Sequence, residues 1–282
     1  MLTRSRGGFT LAEVMISLVL TLVVGGTLYR LLLTTQRTSR AQAQRVELQS
    51  NLRAGSTIVL NELRELSAAT GGSGGQNDIL VAGSTALVYR AMRGMGFICA
   101  PPTATSIRIA RSSFTGPRDP QGDRDEALIF LEDRAAAGTE DIWLGMKIVA
   151  VATGAACPGA LGPGITLTVL PGPSVAALDA GTPVRITEVM ELRLYESGGL
   201  SWLGARSVSS GEAIQPLVGP LTRGSGFRLD YLDAAGTPTA DRTSIKSIRI
   251  ALRGTTEGAG NGKAPVEEEL LAQVALRNAA WP

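Results

Sequence analysis

Two hydrophobic regimes divide the chain. From Phe9 to Tyr29 almost every position is apolar or small, and the run carries one charge, Glu13. These 21 residues span about 30 Å as a helix, the thickness of a bilayer core. Residues 31–69 mix polar and apolar side chains, with no proline and a single glycine. Leu48, Leu52, Val59, Leu63 and Leu66 recur at spacings of four, seven, four and three, and so share one helical face. Arg, Gln and Glu occupy the opposite side. The pattern predicts one helix over 9–69, roughly 90 Å long at the standard rise. Its first half is apolar enough to lie in a membrane, and its second half packs on a sheet. Gly25-Gly26 interrupts it with two residues that together lower helix stability by about 2 kcal/mol relative to alanine. That pair allows either a kink or a close helix contact.

The segment GGSGGQND at 71–78 ends the helix and links it to the remainder of the chain. Beyond it the period shortens to that of strands. Candidate strands lie at 85–91, 106–110, 126–132, 141–144, 148–152, 165–170, 183–195, 201–208, 226–232, 245–252 and 270–276. The clearest is a hairpin around Ser197-Gly198-Gly199. IKSIRIALR at 245–253 alternates apolar and basic residues, as a sheet with one solvated face requires. The fold class is α+β: a long N-terminal α-helix, membrane-spanning in its first half, packed on an antiparallel β-sheet head.

Composition narrows the function. Gly (34) and Pro (14) are plentiful and aromatics make up only 4%, which suits many turns between short strands. The formal charge of +2 falls to zero without Arg4 and Arg6, so no nucleic-acid partner is expected. Histidine is absent, which removes Ser-His-Asp triads, Cys-His nucleophiles and His-ligated metals together. The two cysteines, Cys99 and Cys157, are too far apart for a C-x-x-C motif. Two readings of them stand: two separate buried thiols, or one disulfide closing a long loop. The chain-entropy model values such a loop closure at about 4 kcal/mol.

Three readings of the N-terminus compete. A secretory signal would carry a small-residue cleavage site after the apolar run, and no A-x-A follows Tyr29. A plain anchor explains the length but neither Gly7-Gly8 nor Glu13. A lone carboxylate inside an apolar span is costly and calls for a partner. Arg4 and Arg6 precede the span and the next basic residue is Arg30, so the short N-terminal arm faces the cytoplasm.

Gly8 followed by Phe9-Thr10-Leu11-Ala12-Glu13 closely resembles the processing site of type IV prepilins. The resemblance implies a leader at 1–8, a helix at 9–69 with its transmembrane segment at 9–29, and a β-rich head at 70–282. In that family an intramembrane peptidase cuts after the glycine and methylates the new N-terminal amine. Gly8 is then the cleavage residue, Phe9 the methylated terminus, and Glu13 the carboxylate that pairs with a neighbouring subunit's amine during assembly. An ammonium and a carboxylate in hydrocarbon are each costly alone and much less so together. More loosely, residues 183–278 resemble PilW-like minor pilins and the GspJ-like minor pseudopilins of type II secretion. The implied protein is a non-enzymatic structural subunit of the inner membrane, single-pass, with its head in the periplasm. Its implied partners are other pilins or pseudopilins, the prepilin peptidase, the inner-membrane assembly platform and membrane lipid. The roles this leaves in competition are a minor pilin that initiates or caps a pilus, a minor pseudopilin, and a ligand-binding tip adhesin or DNA-uptake subunit.

Other constellations carry less. Asp119, Asp123, Asp125 and Glu126 form an acidic loop in which calcium is the one conceivable cofactor. Arg118 and Arg124 interleave it and the spacing is not that of an EF-hand, so solvated loop charges are the better reading. Glu267-Glu268-Glu269 reads as the start of the last strand, Asp230 and Asp233 as turn chemistry, and Trp143 and Trp202 as core or interface anchors. No glycine-rich stretch is followed by the Lys-Ser/Thr of a phosphate loop.

Overall fold

The computed structural model describes residues 8, 10–68, 77–131, 142–170, 178–256 and 265–276. The leader up to Gly7, Phe9, the link at 71–76, Glu132 and Asp141 lie outside the described residues. One long helix, α1 (Leu11–Arg64), precedes twelve strands. These are β1 (Ile79–Ala82), β2 (Ala86–Ala100), β3 (Ser106–Ala110), β4 (Asp125–Leu131), β5 (Ile142–Ala156) and β6 (Pro163–Leu170). Then come β7 (Pro183–Ser197), β8 (Leu200–Ser207), β9 (Gln215–Leu221), β10 (Phe227–Leu232), β11 (Ser247–Thr255) and β12 (Glu267–Ala275). The chain forms two compact units, one of residues 1–49 with 256–266 and one of 50–255 with 267–282.

The helix runs unbroken through Gly25-Gly26, so those glycines do not stop it. It ends at Arg64, short of the expected 69, and the reason is local. The Ser67 N–H, which a continuing helix would give to the Leu63 carbonyl, is taken by the carboxylate of buried Asp78 at 2.8 Å. The Asp78 N–H returns a bond to the Ser67 carbonyl at 2.8 Å. Asp78 therefore holds both ends of the 69–76 connection together. Burial pushes its carboxyl above the usual range, against the pull of Arg185 at 3.3 Å. The predicted apolar face is buried throughout: Leu48, Leu52, Val59, Leu63 and Leu66 are each at most 6% exposed.

All strands join one antiparallel sheet, and part of it closes on itself. β2 pairs with β3, β3 with β6, β6 with β5, β5 with β4, β4 with β7, and β7 again with β2. The result is a six-stranded barrel. Alternate residues of each strand point inward: Ile107 and Ile109, Ile165, Leu167 and Val169, Met146 and Ile148, Ala127 and Ile129, Val184 and Ile186, with Ile98 from β2. Closure removes the open edges that a flat sheet of these strands would expose. The ends of β2 and β7 run past the barrel, where β1 joins β2 and β8 joins β7. β9 pairs next with β8, and β10–β11–β12 complete the sheet.

Several expected strands were fragments of longer ones. The runs at 141–144 and 148–152 are one fifteen-residue strand, β5. β2 extends the expected 85–91 through RGMGFICA, where Gly94 sits at a register shift. Those glycines look like strand breakers in the sequence, yet space demands them: a Cβ on Gly96 would lie 2.4 Å from Ile109 Cγ2. β1 and β9, two short strands, carried no period of their own in the sequence.

The second half of α1 meets the head through another missing side chain. A Cβ on Gly55 would sit 2.0 Å from Val218 Cγ2 on β9. Farther along, Glu62 accepts from Tyr89 Oη at 3.4 Å and pairs with Arg93 at 3.5 Å. Gly55→Ala should therefore destabilise the full chain by about 2 kcal/mol, since overpacking outweighs the helix gain from alanine. Val218→Ala in the same chain should restore most of the loss, read as the melting temperature in detergent. If the single variant melts at or above the wild-type temperature, the helix is not seated at this contact.

Candidate functional site

The functional site is built at the start of α1, where the chain itself supplies very little. Gly8 is exposed, and a Cβ placed on it would meet nothing within 4 Å. Packing within the chain gives no reason for glycine there. The same is true of Gly25 and Gly26. Thr10 and Glu13 form a reciprocal cap. The Thr10 N–H and hydroxyl both donate to Glu13 Oε2 at 3.0 Å, and the Glu13 N–H donates to Thr10 Oγ1 at 3.3 Å. This is the capping-box arrangement, in which a threonine and a glutamate three residues on satisfy each other's free N–H groups. The spacing Thr10-x-x-Glu13 announces it, and the sequence reading missed it by weighing Glu13 only as a membrane charge.

Beyond the cap, fourteen large apolar side chains from Leu11 to Leu32 are each more than half exposed. The segment is long and apolar enough to cross a membrane, and among the described residues none of its most apolar stretch is buried. An exposed apolar helix of this length needs a cover from outside, lipid or other helices. Residues 3–29 match the prokaryotic N-terminal methylation motif. The match spans the N-terminal segment alone, and it is the segment that a type IV pilin-like prepilin would carry there. No curated protein and no solved structure matches it. The motif implies association with other pilins and processing by a prepilin peptidase in general, and its family is structural rather than catalytic. The α+β architecture, one long apolar N-terminal helix with a large antiparallel sheet, is pilin-like. Gly8 and Glu13 stand at the head of the exposed helix; Phe9, between them, lies outside the described residues.

The β-rich head keeps these loop acids occupied. Of the three calcium candidates, Asp125 is fully buried and gripped by Arg118 through two 2.6 Å bonds, with the Gln121 N–H at 2.7 Å. Asp119 pairs with Arg111, and Asp123 with Lys147 at 3.2 Å. The three carboxylates thus face three different cations. Among the described residues, no three metal-ligating groups converge. Cys99 and Cys157 are joined, their Cα atoms 5.7 Å apart, and with Ala100 and Ala110 they make a small buried cluster. Trp143 stacks against Phe130 with centroids 5.3 Å apart, and the Arg185 guanidinium lies over its ring. Trp202 lines a shallow groove with Asn51, Gly55 and Ile58. Asp233 caps its own turn by accepting from the Ala235 and Thr237 N–H groups.

The strongest electrostatic feature of the head is one that the sequence did not single out. Glu188 on β7 is 1% exposed and receives Arg93 at 2.7 Å, Arg124 at 2.6 Å and Arg118 at 3.1 Å. Burial alone would raise its pKa. Hydrogen bonds from Ser207, Arg93 and Arg124 outweigh that and hold it at about 2, against an ordinary 4.5. A carboxyl depressed in the folded state contributes stability that is complete above 4.5 and is lost as the pH falls toward 2. Its full contribution is about 3 kcal/mol. Glu188→Gln should lower the melting temperature at pH 6, and the gap from wild type should close as the pH approaches 2. A gap that stays constant across that range would show that Glu188 is not the titrating group.

Proposed function

We propose that the chain is a minor type IV pilin, a structural subunit that inserts in the inner membrane with its head in the periplasm and helps initiate or cap pilus assembly. The observation that carries this reading is the exposed apolar helix headed by Glu13 and by Gly8, a glycine that the chain's own packing does not require. A glycine with open space around it suits recognition by an enzyme that must reach the backbone on both sides of the cut. After cleavage, the methylated Phe9 amine and the Glu13 carboxylate supply the two charges that meet between adjacent subunits. The size of the head, residues 70–282, favours a minor over a major subunit. A structural role leaves the head no catalytic task.

Two experiments test the reading. Gly8→Val, made in cells with the peptidase, should run as a band heavier by the eight-residue leader. Normal cutting between residues 8 and 9 would sink the assignment of Gly8.

The second separates two jobs of Glu13. Glu13→Gln keeps the acceptor oxygen that caps Thr10 but removes the charge, whereas Glu13→Ala removes both. If Glu13 pairs with a neighbour's amine, both variants should be inserted and cleaved but should fall several-fold in sheared filaments on an immunoblot. Should the Gln variant assemble like wild type while the Ala variant does not, Glu13 serves as a helix cap and not as the assembly charge. A wild-type chain that is missing from sheared filaments, but whose loss blocks protein secretion, would assign it to a type II pseudopilus instead.

A further inference from the structure

The barrel hides the edges of its six strands, but the other end of the sheet does the opposite. β12 hydrogen-bonds to β11 alone, and among the described residues no strand pairs with its other edge. The direction of its free groups is set by the ladder. The Leu276 N–H donates to the Lys246 carbonyl, so even-numbered residues of β12 turn their backbone groups toward β11. The Arg253 N–H donates to Gly226, away from β12, which agrees with that parity. The N–H and C=O groups of Glu267, Glu269, Leu271, Gln273 and Ala275 are therefore left on the open edge. Their side chains share the solvent face, while Val274 and Leu276 point into the core. Leu271, at the middle of this row, is 64% exposed, more than any other large apolar side chain of the described head.

Natural edge strands of this length are usually blunted by charge, proline or a bulge. β12 is nine residues long without proline, and its charge is confined to one end, Glu267-Glu268-Glu269. That asymmetry selects a partner. We propose that β12 pairs antiparallel with β12 of a second copy, centred on Leu271. In that register Leu271 meets Leu271, Glu269 meets Gln273, and Glu267 meets Ala275. No acid faces an acid, and the two Glu267 residues lie about 27 Å apart along the strands, beyond the screening length at physiological salt. Parallel pairing in register would stack like acids on one another instead. Five facing pairs give about ten inter-chain hydrogen bonds and continue one sheet through both heads. The apolar half of α1 confines copies to a single bilayer, which raises their effective concentration for such an edge contact.

The test uses the full chain in native membranes with Gly8 and Glu13 unchanged, so it reads separately from processing and filament entry. Cys99 and Cys157 are joined, so a Leu271→Cys thiol is the sole free one. Facing Cα atoms in such a pair lie about 5.5 Å apart, within disulfide reach. Mild oxidation should give a non-reducing band at twice the chain's mass. Glu267→Cys alone should stay at chain mass, and Glu267→Cys with Ala275→Cys should link. Adding Gln273→Pro to Leu271→Cys removes an N–H from the open edge without touching the β11 ladder, so the band should vanish while the chain remains as abundant and protease-resistant. The proposal is overturned if Leu271→Cys stays at chain mass, if Glu267→Cys alone links as strongly, or if the link survives the proline. A band at another mass, marking a different protein on this edge, overturns it equally.

Discussion

An apolar helix that nothing in its own chain covers must be covered by something else, and this requirement governs the first third of α1. Fourteen large side chains between Leu11 and Leu32 stand more than half exposed. Left in water, each would forfeit a burial free energy on the order of 2 kcal/mol. A bilayer satisfies them at once, and so does a bundle of like helices. Moving from the first cover to the second costs little in apolar area, because hydrocarbon and neighbouring helices are equally dry. What decides between them is then the polar minority: small residues that let backbones approach, and charges that find a partner in only one of the two surroundings. In this segment Gly25 and Gly26 are small residues of that kind, and Glu13 is a charge that Thr10 already partners within the chain.

The head answers to a different constraint. A few of its charged groups sit inside the fold, and the central ones are held by several partners rather than one. Glu188 alone draws three arginines, and Arg118 spans both Glu188 and Asp125. Breaking such a network at one member leaves the others buried and unpaired, which costs more than the network contributes over an apolar equivalent. It therefore specifies which loop lies over which strand rather than adding much net stability. The 118–125 segment, β2, β4 and β7 are registered by it, and these are the elements around the point where the barrel closes.

How much of this was legible in the sequence depended on whether a residue's partner lay nearby in the chain. The buried helix face was read residue by residue because a period of 3.6 needs no distant information. The membrane span, the last strand starting at Glu267 and the hairpin at Ser197-Gly198-Gly199 were local signals too. The N-terminal motif was legible for the same reason. Barrel closure was not, because it rests on β2 meeting β7 about a hundred residues later, and on glycines at 94 and 96 that look like breaks. The helix end was misjudged because Asp78, which captures Ser67, lies across a connection. The acidic loop 119–125 was read as solvated. Yet Asp125 is wholly buried, since alternating Arg and Asp residues satisfy one another as well as they satisfy water.

The glycines show where function and fold part company. Gly55 and Gly96 have no freedom to change, because a methyl group at either would collide with Val218 or Ile109. The fold explains them completely, and no further role has to be sought. Gly8, Gly25 and Gly26 have open space on every side, and two of them sit in a helix that alanine would stabilise. A residue that its own structure neither needs nor favours is accounted for by something that structure does not contain. On the proposed function, Gly8 would answer to a peptidase reaching the backbone, and the helical pair would leave room for another helix. The same reasoning singles out Leu271, which is exposed on a strand whose other large apolar side chains, Leu270 and Val274, turn to the opposite face.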